Sequence, residues 1–433
     1  MLKKISRKNS IEGVISTLID HYNKARFEEI IRQESELTYL YPDSIFLLNI
    51  FGSVNLALKN NKKAIKNFKK AISLNPNSPE IFYNLGLSFH NDRNFKSAIF
   101  SYRKAIKLKP NYAEAYCNLG MSFSELGDFE ESLVCYQKTI EIDPKYAGAY
   151  YNLGNIYREK EQWSLAIDNY NRAIDIKPDY AEVYYHLGIV YSKKGCEEKS
   201  LNLFRRTLKL QPYNAGALHL INSITGNKRN AAPKKYVADL FDNYANNFED
   251  SLVGKLGYKF PKILKKKIVK EKKTNLGSVL DLGCGTGLVG CEIRNNCDLL
   301  VGVDLSMLML EKAKFKKVYN KLYQHDIIEF LTENTLDFNY FIAADVFVYI
   351  GDLNKIFELI KNRNKNRGRL VFSTEHIDGD SFCIEKSGRF SHSKNYIESL
   401  CEKYSYSIAY FKKFSLRMEQ DHFLNGGFYI LEF

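Results

Sequence analysis

The chain has 433 residues, with 63 Lys and Arg against 50 Asp and Glu and a formal net charge of +13 at pH 7. Its 45% hydrophobic and 26% charged residues exclude wholesale disorder and fit about two to four folded domains. No window reaches the ~18 consecutive apolar residues of a membrane span, and the basic start Met1-Leu2-Lys3-Lys4-Ile5-Ser6-Arg7-Lys8 leads into no signal-peptide core.

A cytoplasmic protein without membrane association is the expectation. The eight Cys form no Cys-x-x-Cys pair, so reduced thiols are expected rather than disulfides or a metal site.

Prolines recur every 34 residues, at Pro42, Pro76, Pro110, Pro144, Pro178 and Pro212. In the same register lie Gly52, Gly86, Gly120, Gly154 and Gly188, then a small residue at Ala64, Ala98, Ser132, Ala166 and Ser200. An aromatic follows at Phe68, Tyr102, Tyr136, Tyr170 and Phe204. This pattern resembles the tetratricopeptide repeat, a helix pair in which Gly permits close approach and Pro ends the second helix. Five clear repeats span 45–214, a degenerate cap repeat 11–44, and a partial repeat 215–222. The resemblance implies an all-α solenoid over 1–222 with a concave groove.

The sixth position of each repeat reads Ile50, Asn84, Asn118, Asn152 and His186. In solenoids of this family Asn there bonds the backbone of an extended peptide, a task that suits an amide, which both donates and accepts. The resemblance thus implies a protein or peptide partner held by Asn84, Asn118, Asn152 and His186, with Tyr83, Tyr151 and Tyr185 as walls. Asn retained for repeat-internal reasons is the competing reading.

A Gly/Asn/Pro stretch at 223–235 reads as a linker. From Tyr236 the pattern changes. Val237–Phe248 looks helical, and Lys259–Lys273 reads as a Lys-rich amphipathic helix. Strands are then expected at Ser278–Leu282, Leu299–Asp304, Leu322–His325, Tyr340–Ala344 and Arg369–Ser373, with β-rich runs at Tyr406–Phe411 and Phe428–Phe433 forming an antiparallel pair at one edge. Strands alternating with helices imply a parallel sheet covered on both faces.

After the first strand comes Asp281-Leu282-Gly283-Cys284-Gly285-Thr286-Gly287. Glycine suits a backbone that turns sharply beside a ligand. Gly285-x-Gly287-x-x-Gly290 also satisfies a dinucleotide fingerprint, so glycines alone leave the ligand open. Asp304 ends the second strand, Asp326 the third, and Ala344-Asp345 the fourth. Together these resemble class I S-adenosylmethionine-dependent methyltransferases. The resemblance implies a Rossmann-like α/β domain over 236–433 with a seven-stranded, mostly parallel sheet.

It also implies S-adenosyl-L-methionine as cofactor. Asp281 would face the methionine amino group, with Gly283, Gly285 and Gly287 as the loop. Asp304 and Leu305 would lie at the ribose, Asp326 and Ile327 at the adenine, and Ala344 and Asp345 at the methionine end. Tyr244 and Phe248 match a helical lead-in that covers the cofactor. The whole chain is similar to a family of predicted bacterial methyltransferases with N-terminal repeats.

Substrate-facing candidates follow the fourth and fifth strands: Tyr349, Glu375, His376, Arg389 and His392. Either His is a possible general base, and Arg389 suits a carboxylate or carbonyl. The fourth strand ends in Ala-Asp-Val-Phe rather than Asn/Asp-Pro-Pro-Tyr/Phe, which disfavours methylation of exocyclic or amide nitrogens. A small-molecule methyltransferase with repeats used for assembly, and a scaffold with a vestigial cofactor domain, are the alternatives.

The charge has an address. Residues 45–112 carry a net +10, whereas 113–146 carry −5 and 231–433 only +4. Lys62, Lys63, Lys66, Lys69 and Lys70 fall on the second helix of a repeat, the outer layer of such a solenoid. A solvated basic face is expected, and nucleic acid is disfavoured.

Overall fold

In a computed structural model, the structure describes residues 11–227, 229–269, 274–334, 336–363, 367–419 and 422–433. The basic start at 1–8 lies outside them. The chain divides into two compact units between Val190 and Tyr191. No helix among the described residues is long and apolar enough to cross a membrane.

The first unit is all-α: α1 (Ile11–Asn23), α2 (Phe27–Leu40), α3 (Ile45–Ala57), α4 (Asn61–Leu74), α5 (Pro79–Asn91), α6 (Phe95–Leu108), α7 (Ala113–Glu125), α8 (Phe129–Ile142), α9 (Ala147–Glu159), α10 (Trp163–Ile176) and the start of α11 (Ala181–Lys193). The periodic residues explain the pairing. A Cβ on Gly52, Gly86, Gly120 or Gly154 would fall 2.5–2.8 Å from the ring of Phe68, Tyr102, Tyr136 or Tyr170. The small residues Ala64, Ala98, Ser132 and Ala166 are fully buried.

The turn inside each pair has its own period. Ala25, Lys59, Arg93, Gly127 and Glu161 are all left-handed, with φ between 53° and 80°. Only one of the five is glycine, so composition hides a feature that geometry repeats every 34 residues. The degenerate repeat obeys it through Ala25.

The second unit opens with α12 (Glu197–Leu210) and α13 (Ala215–Thr225), followed by α14 (Lys234–Tyr244), a π-helical turn (Asp250–Lys255) and α15 (Phe260–Ile268). The helix expected over Lys259–Lys273 thus ends at Ile268, and 270–273 lie outside the described residues. The stretch read as a linker is docked rather than free. Asn230 O accepts from Gly351 N and Asp352 N at 2.8 Å each, Ala232 N donates to Tyr349 O at 2.9 Å, and Ala231 bridges Ile350. Gly, Asn and Pro signal a non-helical backbone, not one without partners.

The sheet follows: β1 (Ser278–Leu282), α16 (Leu288–Ile293), β2 (Leu299–Asp304), α17 (Met307–Phe315), β3 (Lys321–Gln324), α18 (Ile327–Glu333), β4 (Tyr340–Ala343), α19 (Asn354–Arg363), β5 (Arg369–Ile377), β6 (Phe382–Ile384), β7 (Phe390–Ser393), α20 (Lys394–Tyr404), β8 (Ser407–Glu419) and β9 (His422–Glu432). Strands β3, β2, β1, β4 and β5 run parallel in that spatial order, and β9 joins β5 antiparallel with β8 outside it. That is the expected seven-stranded sheet.

Two further short strands are added. β5 continues to Ile377, and its end pairs with β7, which carries β6. Side chains alternate between two cores. Leu280, Leu282, Phe341, Leu370 and Phe372 face one, while Val279, Leu300, Ile342 and Val371 face the other. Burial on both faces explains why the central strands read as near-continuous apolar runs.

Candidate active site

The loop after β1 is built from left-handed glycines: Gly283 (φ 67°), Gly285 (φ 53°) and Gly287 (φ 87°). At Gly283 a Cβ would lie 2.5 Å from Val346 Cγ2, so the loop is pressed against the turn after β4. At Gly285 a Cβ would meet nothing within 4 Å, so that part of the loop faces open space. A cradle closed behind and open in front lets backbone approach a ligand.

Two carboxylates flank it. Asp304 Oδ2 accepts from Gly285 N and Oδ1 from Ser306 N, both at 2.8 Å. Burial pushes its carboxyl up to about 6. Asp281 is 1% exposed, and its Oδ2 accepts from Tyr319 Oη at 2.7 Å. Burial pushes it up to about 7. No Lys or Arg among the described residues pairs with either one.

Asp326 caps α18, with Oδ1 accepting from Ile328 N and Glu329 N at 3.1 Å each, and lies 3.3 Å from Lys234 Nζ. Ile327 is buried behind it. Leu305 belongs to an apolar group with Phe241, Tyr236 and Tyr349.

The lead-in is strapped across these strand ends. Asp242 Oδ1 on α14 accepts from Ser306 Oγ at 2.5 Å and Leu308 N at 3.2 Å, and Glu249 pairs with Lys316 at 2.5 Å. Phe241 packs edge-on to Tyr349 (5.3 Å) and Phe248 (6.1 Å), and Tyr244 edge-on to Phe248 (5.9 Å). Tyr244 Oη also bonds Ser251 Oγ. These rings form one wall beside Leu305.

The turn after β4 carries a chain of charges. Asp345 is left-handed (φ 60°), and its N–H donates to Ser373 Oγ at 2.8 Å. Its carboxylate is held by Arg417 Nη1, at 2.5 Å from each oxygen. Arg417 also donates to Glu375, Arg389 Nε donates to the same Glu375 oxygen at 2.6 Å, and Arg389 Nη2 reaches Glu419. Ala344 is half-buried just before this turn.

The five substrate-facing candidates are therefore not equivalent, and Glu375 is taken up by Arg417 and Arg389. Tyr349 joins the aromatic wall, with its hydroxyl held protonated by burial. Arg389 is already engaged by two carboxylates. His376 alternates with Glu375 on β5 and points to the other face, against Phe411. His392 is fully buried, its Nε2 donating to Ile350 O and Gly351 O at 3.0 Å, and burial lowers it to about 4. A ring so enclosed fixes the 350–351 backbone and cannot meet an acceptor's proton. The sealed ring of His392 corrects the expectation of a base at that position, and His376 lies on the face of β5 opposite Glu375.

Arg417 and Glu419 were not visible as site residues. Their signal is a pair of charges two apart in an otherwise β-patterned run.

In the solenoid, Asn118 Nδ2 donates to Tyr83 Oη at 3.0 Å and to Glu114 O at 2.9 Å, and Asn152 Nδ2 lies 3.9 Å from Cys117 Sγ. His186 Nδ1 accepts from Arg158 at 2.8 Å, and burial lowers its pKa. Asn84 is half-buried in the same row. Part of the amide row is thus used inside the repeats.

Family profiles match both halves. A TPR repeat profile covers 52–92, 94–127, 120–157 and 154–195, and a methyltransferase domain profile covers 273–420. Ubiquinone biosynthesis O-methyltransferases of Coxiella burnetii are 29% identical over 112 residues, 25% of this chain and 48% of theirs. The chain spans about half the length of the curated relatives it matches. Similar solved structures include MamA (28% identity, TM-score 0.35, 38% of this chain and 96% of that one). Another is YrrB, described as a TPR protein with an unusual peptide-binding site (18% identity, TM-score 0.35, 43% and 96%). The chain carries tetratricopeptide repeats followed by a methyltransferase domain.

Proposed function

We propose that the chain is an S-adenosylmethionine-dependent methyltransferase whose repeats recruit a protein or peptide acceptor. The observation that carries the cofactor is electrostatic. A glycine cradle open at Gly285 is flanked by Asp281 and Asp304, two carboxylates without a cationic partner among the described residues. A pyrophosphate would be repelled there, whereas a cationic ligand would relieve both. The fingerprint Gly285-x-Gly287-x-x-Gly290 is thereby read as a methyltransferase loop.

Asp304, Leu305, Asp326 and the glycine backbone would hold the nucleoside, with Asp281 and Asp345 toward the methionine. Bound there, the cofactor supplies a methyl carbon already activated by the sulfonium charge. The protein's own task is to orient the acceptor and exclude water. Tyr349, Phe241 and Phe248 supply the apolar wall.

For the repeats, Asn84, Asn118, Asn152 and His186 with Tyr83, Tyr151 and Tyr185 offer polar and apolar contacts to an extended chain. Tethering such a groove to an enzyme raises the local concentration of what it holds. A small-molecule acceptor is the second reading, favoured by the similarity to ubiquinone biosynthesis O-methyltransferases.

Calorimetry of the intact protein with S-adenosylhomocysteine tests the cofactor. No binding, or binding undiminished in Asp304→Ala, overturns it. Incubation of cell lysate with methyl-labelled cofactor separates the acceptors. Label in precipitated protein, reduced in an Asn118→Ala/Asn152→Ala variant, supports the first reading; label in the organic-soluble fraction supports the second.

A further inference from the structure

Stability alone gives little reason for the charge chain at the ends of β4, β5 and β8. Arg417 is 6% exposed and Glu375 5%. Buried ion pairs roughly break even against apolar packing, and a left-handed Asp345 is strained. Arg417 also sits where β8 is irregular. Ser415 pairs with Asn425 and Met418 with Phe423, so three steps on β8 oppose two on β9. The extra residue is a bulge, a device that re-aims a side chain, and the side chain concerned reaches Asp345.

The consequence lies one residue on. Val346 follows Asp345, and its Cγ2 lies 2.5 Å from where a Cβ on Gly283 would stand. The left-handed turn and the glycine loop therefore define each other's position, and the ends of adjacent parallel strands are where ligands bind in such sheets.

We propose that Arg417 is a positioning residue acting through Asp345: by clamping that carboxylate, with Glu375 and Arg389 behind it, it fixes the turn after β4 against the glycine loop and so sets the wall of the cofactor crevice. The crevice's ligand rests on the function proposed above; the clamp itself does not. Nothing in the chain need react with Arg417 for this role.

Two measurements on the full-length protein test it. Hydrogen exchange without ligand reads the clamp directly. In Arg417→Gln, exchange of a peptide covering 343–350 rises at least tenfold, while one covering 428–432 is unchanged. Unchanged exchange at 343–350, or a rise only within 407–419, overturns the proposal, because the arginine would then serve the hairpin alone.

A double-mutant cycle in S-adenosylhomocysteine affinity reads the coupling. Arg417→Gln and Asp345→Asn each weaken binding about tenfold, and the double variant is no weaker than either. Multiplied losses overturn the proposal, since the two residues would act separately. Failure of the unsubstituted protein to bind overturns the assigned function instead, and the exchange measurement still decides the clamp.

Discussion

His219 on α13 donates through Nε2 to the carbonyl of Gly388 at 2.7 Å, with both residues enclosed. The last helix of repeat character is therefore part of the methyltransferase unit, seated on the turn between β6 and β7. Ser223 and Glu197 meet Lys386 of the same turn. The residue after Gly388 is Arg389, the outer member of the charge chain.

Replacing His219 by Ala leaves the Gly388 carbonyl without its donor and opens a cavity. A loss of about 2–4 kcal/mol is expected, read as a lowered urea midpoint for the second unit. An unchanged midpoint would mean that α13 is only resting there.

The solenoid supports a test with an inverted sign. Gly→Ala inside a helix normally stabilises by about 0.5–1 kcal/mol. Gly154→Ala should instead destabilise, because the new methyl would lie 2.5 Å from the Tyr170 ring. Tyr170→Leu in the same chain should recover part of the loss. Thermal unfolding followed by circular dichroism reports both.

These two sites mark what the sequence could and could not convey. Gly154 and Tyr170 were legible because the same pair recurs at Gly86 and Tyr102, and repetition separates packing from chance. The sharp loop after β1 was legible because Gly283, Gly285 and Gly287 are the residue type that left-handed backbone favours. The left-handed turns at Lys59, Arg93 and Glu161 were not, since those residues carry no bias toward that conformation. Arg417 was hidden because a bulge, not a motif, brings it to Asp345. His392 was misread because a histidine beside a crevice and one sealed beneath it look alike in a sequence.

Within the loop, two glycines separate folding from binding. Gly283→Ala must move Val346 as well as accept a left-handed alanine, so both stability and S-adenosylhomocysteine binding should fall. Gly285→Ala faces open space and bears only the conformational cost, about 1–2 kcal/mol. Its methyl would stand on the open side of the loop, where the ligand is proposed to lie, so affinity should drop at least tenfold while the protein stays folded. Equal binding by Gly285→Ala and the unsubstituted protein would place the ligand elsewhere.

The pH dependence of binding follows from Asp281, near 7, and Asp304, near 6. A cationic ligand favours the ionised carboxylates, so it lowers both values on binding. Affinity should therefore be highest above pH 7 and fall as the pH drops through about 7 and then 6, with protons released on binding in that window. Ligand-free stability runs the other way: a carboxyl raised in the folded state stabilises fully below its unfolded value, about 4, and that contribution is lost as pH rises through 7. Calorimetry in buffers of different ionisation enthalpy counts the protons. Asp281→Asn should remove the upper step and leave the lower one, and two steps surviving in that variant would assign the upper one to another group.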